Sequence, residues 1–401
     1  MDRFMSVIVT NAKNRIAYNV VRSLGEKGVA VYAADFVPRS MCFASRYVRG
    51  HFIYPSPFRD PGGFIDCLLT EIERVKAKVL IPVFEETFLV SKHMEQLSPH
   101  VALALPTYEQ ILTAHNKDTW EHVARRLGVP VPSNYSIEEL RAGTLSTRDL
   151  TYPVLIKPKQ GGGAWGIREA ATATMLDEYL QGADWDGKPW DRFFVQQKIL
   201  GETHCVAMLF SRGQLRAKVA YRQLRDYPIT GGQATLRVSL RSEKAEDCFQ
   251  RMLEGLDWHG TCQADFIIDH KTGTPYLIDI NPRLWGSLVQ AIACGVDFPY
   301  LLYRMATEGD VPPVHSFKTG VVTRWLGGEL AALPGRLRQS NDKLELLRDF
   351  VFPNVRSSLY DDFSISDPLP FMAWGLDTAL KAMRSRSVNA VSHDSLDGIW
   401  K

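Results

Sequence analysis

The chain has 401 residues, of which 45% are hydrophobic and 23% charged, and its formal net charge is +2. This length exceeds one ordinary hydrophobic core and predicts two or three domains. A charge so close to zero favours neither nucleic acid nor an acidic macromolecule as the main partner. The six cysteines are scattered without a C-x-x-C pair, which indicates reduced, structural thiols in a cytoplasmic protein.

The sequence predicts no membrane segment and no signal peptide. The opening residues MDRFMSVIVTNAKNR contain too short an apolar stretch for a leader. The longest weakly charged run, residues 284–303, is interrupted by Gly295, Asp297 and Pro299. We therefore expect no membrane partner.

Residues 1–106 have the pattern of an open α/β domain with a parallel sheet. Strand-like and helix-like runs alternate there as SVIVT, RIAYNVVRSLGEKG, VAVYAAD, PGGFIDCLLTEIERVKA and KVLIPV, with a last short strand at VALALP. The first loop lacks the G-x-G-x-x-G of dinucleotide-binding domains, so Asp35 is interpreted as a strand-end cap. Glu85 and Glu86 follow a strand near a helix start, where the helix dipole alone favours acids, and a substrate-binding role is the alternative.

Residues 107–315 form a second predicted unit. It opens with the helix NKDTWEHVARRLGVPVPS, which ends at Gly128 and the prolines behind it. YPVLIKPKQGGGAWGIREA predicts a strand, a glycine-rich loop and a return strand, within a lid of about residues 150–196. The strand-like runs after the lid predict a largely antiparallel sheet. Periodicity weakens in residues 316–401, whose role is unassigned and which contain one amphipathic helix, LDTALKAMRSR.

An acidic hairpin is the main chemical signal. CQADFIID and PYLIDINP are joined by HKTGT, and a hairpin centred on Thr272 sets Asp265 opposite Asp279 and Gln263 opposite Asn281. The other face is then apolar: Ala264, Phe266, Ile268, Tyr276, Ile278 and Ile280. Two facing carboxylates need a cation or a shared proton, and Mg²⁺ prefers carboxylate and amide oxygens. A solvated face whose acids pair with lysines is the alternative, and the hairpin alone leaves both open.

Lys157 and the glycines behind it point to a phosphate site. Lysine is rare within an apolar strand such as YPVLIKP unless it has a partner. Gly161, Gly162 and Gly163 leave backbone N–H groups free to wrap an anion. No G-K-[ST] follows, so the segment is not a P-loop.

Five segments in order carry a family resemblance: NKDTW, VLIKPKQGGGAWG, FVQQKILGE, CQADFI and LIDINPRLWGS. Through them, residues 117–310 resemble the ATP-grasp superfamily of carboxylate–amine ligases, biotin carboxylase and carbamoyl-phosphate synthetase. The resemblance implies an α/β domain followed by an ATP-grasp fold, with a small lid and a larger antiparallel-sheet subdomain. This chain has Asp265 and Asp279 where many members have glutamate.

The resemblance also implies ATP and Mg²⁺ (or Mn²⁺) as cofactors and assigns a role to each matching residue. For the nucleotide it implies phosphate contacts from Lys117 and Lys157, a flap at Gly161, Gly162 and Gly163, an adenine hinge at Gln197, Lys198 and Ile199, and a ribose contact from Glu202 or His204. For the metal it implies Asp265, Asp279 and Asn281. For catalysis it implies Arg283, which steadies the transferring phosphoryl group, together with Lys157.

The implied reaction is ADP-forming amide or peptide bond formation between a small carboxylate and an amine, amino-acid-like or peptide-like. Arg222, Arg225 and Arg237 are candidates to bind a substrate carboxylate, because arginine can do so bidentately. The alternative, expected for at least one of the three, is an arginine at an outward-facing position of a strand. A kinase-like enzyme of the same fold and a non-catalytic ATP-binding module remain alternatives. An NAD-dependent dehydrogenase is disfavoured by the missing glycines. A homodimer is left open.

Overall fold

The computed structural model describes residues 6–159, 167–182, 184, 187–229, 232–314, 316–351 and 359–384, with side chains to residue 381. Its strands pair into three sheets. The predicted class, a parallel α/β domain followed by mixed and antiparallel α+β layers, is confirmed. No helix within these ranges is both long enough and apolar enough to cross a membrane.

The first sheet is parallel, with strand order β3-β2-β1-β4. The strands Val7–Val9, Val31–Asp35 and Val79–Ile81 are almost entirely buried, as expected for a parallel sheet covered by helices. The elements are β1 Val7–Val9, α1 Arg15–Glu26, β2 Val31–Asp35, β3 Val48–Ile53, α2 Pro61–Val75, β4 Val79–Ile81, α3 Glu86–Lys92, α4 Met94–Leu97 and α5 Tyr108–His115.

Two details of this sheet differ from the sequence prediction. The prediction of a last short strand at VALALP is wrong, because this segment makes only an isolated bridge between Ala102 and Val79. The strand β3 had not been predicted, because its burial is interrupted by exposed polar residues. Asp35 caps its strand end as predicted, accepting hydrogen bonds from the backbone N–H groups of Lys13, Phe36 and Val37.

The second sheet has the order β5-β8-β6-β7 and is antiparallel. It encloses a small core of its own. The elements in this part of the chain are α6 Lys117–Arg126, β5 Asn134–Tyr135, α7 Ile137–Ala142, β6 Val154–Pro158, β7 Arg168–Ala170, α8 Ala173–Leu180 and β8 Phe193–Gln197.

The third sheet has the order β13-β12-β9-β10-β11-β14-β15, and only its last pair of strands is parallel. Its core is continuous with that of the first sheet. The elements are β9 Gly201–Ser211, β10 Gln214–Tyr227, β11 Gln233–Ser239, α9 Glu243–Gly255, β12 Gly260–Asp269, β13 Pro275–Asn281, α10 Leu288–Ala293, α11 Phe298–Glu308, β14 Val322–Arg324, α12 Leu326–Gln339, α13 Lys343–Val351, β15 Leu359–Tyr360 and α14 Leu369–Arg384.

The C-terminal segment returns to the first domain. Asp367 accepts hydrogen bonds from the Ser45 hydroxyl and the Arg46 backbone N–H. The hydroxyl of Tyr18, on α1, donates to the Asp367 carbonyl. The amide of Asn19 donates to the carbonyl of Asp361. Residues that the sequence left without a role therefore bridge the first and third sheets.

Candidate active site

The acidic hairpin has the predicted register where it matters. In the pairing of β12 with β13, Asp265 faces Asp279 and Gln263 faces Asn281. Beyond this point a β-bulge shifts the register, so that Phe266 faces Leu277. Leu277 is fully buried, whereas the sequence placed Tyr276 and Ile278 on the apolar face. That part of the prediction is wrong, because one extra residue reverses which side chains point inward.

Burial makes both facing carboxylates harder to ionise, and Asp279 adds to the effect on Asp265. Removal from water raises the pKa of Asp265 to about 6, and repulsion from Asp279 adds to the shift. Removal from water also raises the pKa of Asp279, while the positive charges of Lys117, Lys157 and Arg283 act against that rise. The hairpin therefore carries a pair of acids that a nearby cation would stabilise.

Gln263 orients the polar side chains around these acids. Its amide nitrogen donates to Asp265 Oδ1 over 2.7 Å, and its Oε1 accepts from Asn281 Nδ2 over 2.8 Å. The amide oxygen of Asn281 is thereby turned away from Gln263. Within the described ranges, no group of three or more His, Cys, Asp or Glu side chains has metal-binding geometry. The donor set here is two carboxylates and one amide oxygen, which suits a hard cation that keeps water or phosphate as further ligands.

Lys157 is buried and ends a chain of polar groups. Its ammonium donates to Gln196 Oε1 over 2.6 Å, Gln196 Nε2 donates to Asn134 Oδ1 over 2.8 Å, and Asn134 Nδ2 donates to Glu121 Oε2. Burial lowers the pKa of Lys157 to about 8, with a further contribution from Lys117. Lys117 is the first residue of α6. Sequence reasoning missed Gln196, Asn134 and Glu121, although a glutamine inside the apolar strand FVQQK was a usable signal.

Arg283 is held by a segment of the first domain. Its Nη2 lies 3.4 Å from Glu85 Oε1, and its guanidinium lies 4.3 Å from the centroid of the Phe84 ring. Phe84 adopts a left-handed backbone conformation with φ 62°, which is uncommon for a bulky residue. Burial raises the pKa of Glu85, with Arg283 acting against the rise. Glu85, expected chiefly to favour a helix start, thus faces the site.

The neighbouring acid Glu86 belongs to the interior of the first domain. Both of its carboxylate oxygens accept from Asn11 Nδ2, and one also accepts from the Tyr54 hydroxyl. Burial raises the pKa of Glu86 to about 7. Near Arg283, burial lowers the pKa of His115 to about 4, and the charges of Arg283 and Lys117 add to the shift. A neutral His115 adds no further positive charge to the site.

The predicted hinge residues connect β8 with β9. The backbone N–H groups of Gln197 and Lys198 donate to the carbonyls of Ser133 and Pro153, and the Lys198 ammonium pairs with Glu169. Ile199 is buried. A backbone contact from this segment to a ligand must therefore use atoms other than these two N–H groups.

The two candidates for a ribose contact interact with each other. Glu202 Oε1 accepts from Arg222 Nη1 over 2.7 Å, and Glu202 Oε2 lies 3.6 Å from His204 Nε2. His204 Nδ1 contacts the Ser242 hydroxyl. The hydrogen bond from Arg222 lowers the pKa of Glu202. The side chain of Glu202 is more exposed than that of His204. Arg222 already forms an ion pair with Glu202.

The other two arginines proposed for substrate carboxylates have partners in the fold. Arg237 is fully buried, pairs with Asp361 and donates to the Thr323 hydroxyl and the Ala234 carbonyl. It has no surface left for a substrate, so this candidate is withdrawn. Arg225 pairs with Glu329 and Asp349 while keeping partial exposure. The predicted flap residues Gly161, Gly162 and Gly163 lie outside the described residues.

Residues 114–287 match the family model described as the ATP-grasp domain. That range contains the facing acids, both lysines and Arg283. Over these residues the chain is similar to ATP-grasp domains. It matches the D-alanine–D-alanine ligase of Thermoanaerobacter pseudethanolicus with 25% identity over 196 residues, covering 42% of this chain and 54% of that protein. The chain thus spans about half the length of the curated ligases it matches.

Two solved structures share the fold over most of the chain. One is the biotin carboxylase domain of Hydrogenobacter thermophilus 2-oxoglutarate carboxylase, in complex with MgADP and bicarbonate. Its TM-score is 0.63 at 16% identity, covering 80% of this chain and 74% of that one. The other is the L-amino acid ligase of Bacillus licheniformis, with a TM-score of 0.58 at 17% identity, covering 78% of this chain and 79% of that one. At such identities the likeness establishes the fold.

Proposed function

We propose that this protein is an ATP- and Mg²⁺-dependent ligase that activates a carboxylate as an acyl phosphate, joins it to an amine and releases ADP. The observation that supports the proposal most directly is the facing pair Asp265 and Asp279, under the positive charges of Lys117, Lys157 and Arg283. Such a group of charges suits a polyphosphate together with its metal ion.

The nucleotide would lie between the second and third sheets. In this proposal Lys117 and Lys157 contact its phosphates, and the segment from Gln197 to Ile199 meets the adenine. Glu202 or His204 contacts the ribose, and Gly161–Gly163 form the flap over the phosphates. Lys157 suits this role because its burial is costly without an anion, and its pKa of about 8 rises when phosphate approaches.

The metal ion, Mg²⁺ or Mn²⁺, would be held by Asp265, Asp279 and Asn281. Burial raises the pKa of each carboxylate, so a bound cation would stabilise the charged form of both. When bound, the ion offsets charge on the phosphate oxygens. Aspartate reaches less far than glutamate, so we expect at least one of the two acids to contact the ion through water.

The chemistry needs no protein nucleophile. A carboxylate oxygen of the substrate attacks the γ-phosphorus, and the bond to the β-phosphate oxygen breaks to release ADP. An amine nitrogen then attacks the acyl carbon, loses its proton and expels phosphate. Arg283 would steady the transferring phosphoryl group, and the buried Glu85 holds the guanidinium in place. Arg222 and Arg225 remain candidates for binding substrate.

The relatives support the same reaction class. The D-alanine–D-alanine ligases and the L-amino acid ligase are named for joining amino acids, so amino-acid-like or peptide-like substrates come first. The domain division that goes with this proposal is residues 1–106, 107–315 with a lid at about 150–196, and a C-terminal extension, residues 316–401.

The test is phosphate release from ATP with pairs of carboxylates and amines, with products identified. We expect ADP and phosphate to form only when both substrates are present. With an ¹⁸O-labelled carboxylate, one ¹⁸O should appear in the phosphate. AMP and pyrophosphate would contradict the acyl-phosphate route, and a stable phosphorylated product formed without an amine would contradict ligation.

A matched pair of variants tests the metal site. Asp279→Asn should reduce phosphate release about 100-fold or more, because the metal ion contributes several kcal/mol to the transition state. Asp269→Asn, at the end of β12 where the turn of the same hairpin begins, should leave the rate close to that of the wild type. Full activity in Asp279→Asn would remove the metal assignment.

A further inference from the structure

A cleft separate from the facing acids lies between the loop after β1 and the C-terminal segment. Its volume is about 190 Å³, and its lining includes Lys13, Arg15, Met41, Trp325, Asp362 and Trp374. An apolar cavity of about 150 Å³ is enough to hold benzene. This cleft can therefore hold a ring with a short polar chain. Nothing in the proposed nucleotide site uses these residues.

Two cations, Lys13 and Arg15, line the cleft. The ammonium of Lys13 lies 3.7 Å from the centroid of the Phe36 ring, and among the described residues it forms no ion pair with a carboxylate. Arg15 donates to Gln233 Oε1 over 2.8 Å, and its Nε lies 3.4 Å from Asp361 Oδ2. Arg15 therefore already has a carboxylate partner, and Lys13 is the lining cation with which a singly charged anion would pair.

Asp362 is already occupied by the protein. Its two carboxylate oxygens accept hydrogen bonds from the backbone N–H groups of Leu326 and Gly327, over 3.2 and 2.8 Å. It therefore ties the start of α12 to the wall of the cleft. This leaves Lys13 as the cation with the most capacity for a new anionic partner.

Two indoles supply a flat apolar wall. Both Trp325 and Trp374 are partly exposed. The guanidinium of Arg15 lies 3.7 Å from the Trp325 ring centroid, and Trp374 stacks on Phe371. A Cβ on Gly327 would lie 2.6 Å from Trp374 Cη2, so only glycine at 327 lets this indole reach the cleft. Partly exposed tryptophans that share a cleft with cations suit a planar apolar group.

The cleft adjoins the candidate active site through Arg15. A Cβ on Gly286 would lie 2.8 Å from Arg15 Nη2. Gly286 is three residues beyond Arg283, on the loop that leaves β13. A molecule bound at Arg15 is thus next to the loop that carries the proposed phosphoryl-binding arginine.

We propose that this cleft binds a small carboxylate with a planar apolar body, its carboxylate at Lys13 and Arg15 and its body against Trp325 and Trp374. Binding of such a molecule follows from the cleft itself. That the molecule is the carboxylate to be activated rests on the proposed function. The C-terminal segment, which supplies both indoles, then selects the substrate.

The direct test is isothermal titration calorimetry with 3-phenylpropanoate and its uncharged counterpart 3-phenylpropanamide, without ATP. We expect the acid to bind about tenfold more tightly than the amide, because charge-assisted hydrogen bonds are the stronger ones. Lys13→Gln should remove that preference and Lys13→Arg should keep it. Trp374→Leu should weaken both ligands, and the exposed Lys343→Gln should change neither.

Absence of binding to the wild type would overturn the proposal, as would equal affinity for acid and amide. Unchanged affinity of Lys13→Gln and Trp374→Leu, each with wild-type melting temperature, would also overturn it. Phosphate release from ATP separates the two ideas. If the acid binds the cleft but ATP is converted to AMP and pyrophosphate, the proposed acyl-phosphate ligation is wrong and the proposed cleft stands. If ADP forms with a carboxylate that does not bind this cleft, the proposed role of the cleft is wrong and the proposed ligation stands.

Discussion

Lys157 is expected to reduce the stability of the protein when no nucleotide is bound. Its pKa is lowered from the usual 10.5 to about 8, chiefly by burial. At about 1.4 kcal/mol for each pKa unit, holding the charged form in the folded state costs about 3 kcal/mol at neutral pH. Lys157→Met removes this charge while keeping most of the volume, but it leaves Gln196 Oε1 without its donor, which costs about 1–3 kcal/mol. The net change is a gain of about 0–2 kcal/mol in unfolding free energy.

The pH dependence separates this effect from a change in packing. Because the folded pKa of Lys157 lies below the unfolded pKa, the unfolded chain binds more protons between these values. Wild-type stability therefore rises with pH across that window, and about 2 kcal/mol of the cost disappears between about pH 7.5 and pH 10. Lys157→Met lacks this contribution. Its unfolding free energy relative to that of the wild type should therefore fall by the same amount as pH rises.

The assay is urea unfolding of both proteins at the two pH values, because other titrating groups cancel in the difference. Lys343→Met, at an exposed lysine, is the control and should track the wild type. ATP with Mg²⁺ should raise the melting temperature of the wild type and of this control, but not that of Lys157→Met. If the difference in unfolding free energy between the wild type and Lys157→Met is the same at the two pH values, the reasoning is refuted.

Three further predictions, two of them with a control substitution, test the fold and the site. Glu329→Gln should cost about 3–5 kcal/mol in urea unfolding, because the buried acid faces three arginines, whereas Glu308→Gln at an exposed ion pair should cost at most about 0.5 kcal/mol. Gly201→Ala should cost about 1–3 kcal/mol, because its Cβ would lie 2.1 Å from a carbonyl oxygen of β12, while Gly62→Ala, with open space in α2, should gain about 0.5–1 kcal/mol. Glu85→Gln should lower phosphate release about tenfold by removing the charge that orients the site arginine, and an unchanged rate would contradict that role.

Local sequence determined the features that depend on neighbours along the chain. Alternation of side chains and a short turn were enough to set Asp265 opposite Asp279, because hairpin partners are close in sequence. A lysine inside an apolar strand marked Lys157 as a residue with a special partner. The same alternation failed at Ile278, since a bulge is a local backbone choice that hydrophobic pattern does not encode.

The tertiary structure alone decided which distant residues share the site. Glu85 and Arg283 are 198 positions apart, and their contact depends on how the first and third sheets share a core. Arg237 reads like a strand-surface arginine in the sequence, yet it is buried against Asp361, a residue 124 positions later. The cleft lined by Trp325 and Trp374 likewise exists only because the C-terminal segment returns to α1. Sequence periodicity reports which face of an element is apolar, but long-range packing decides what that face meets.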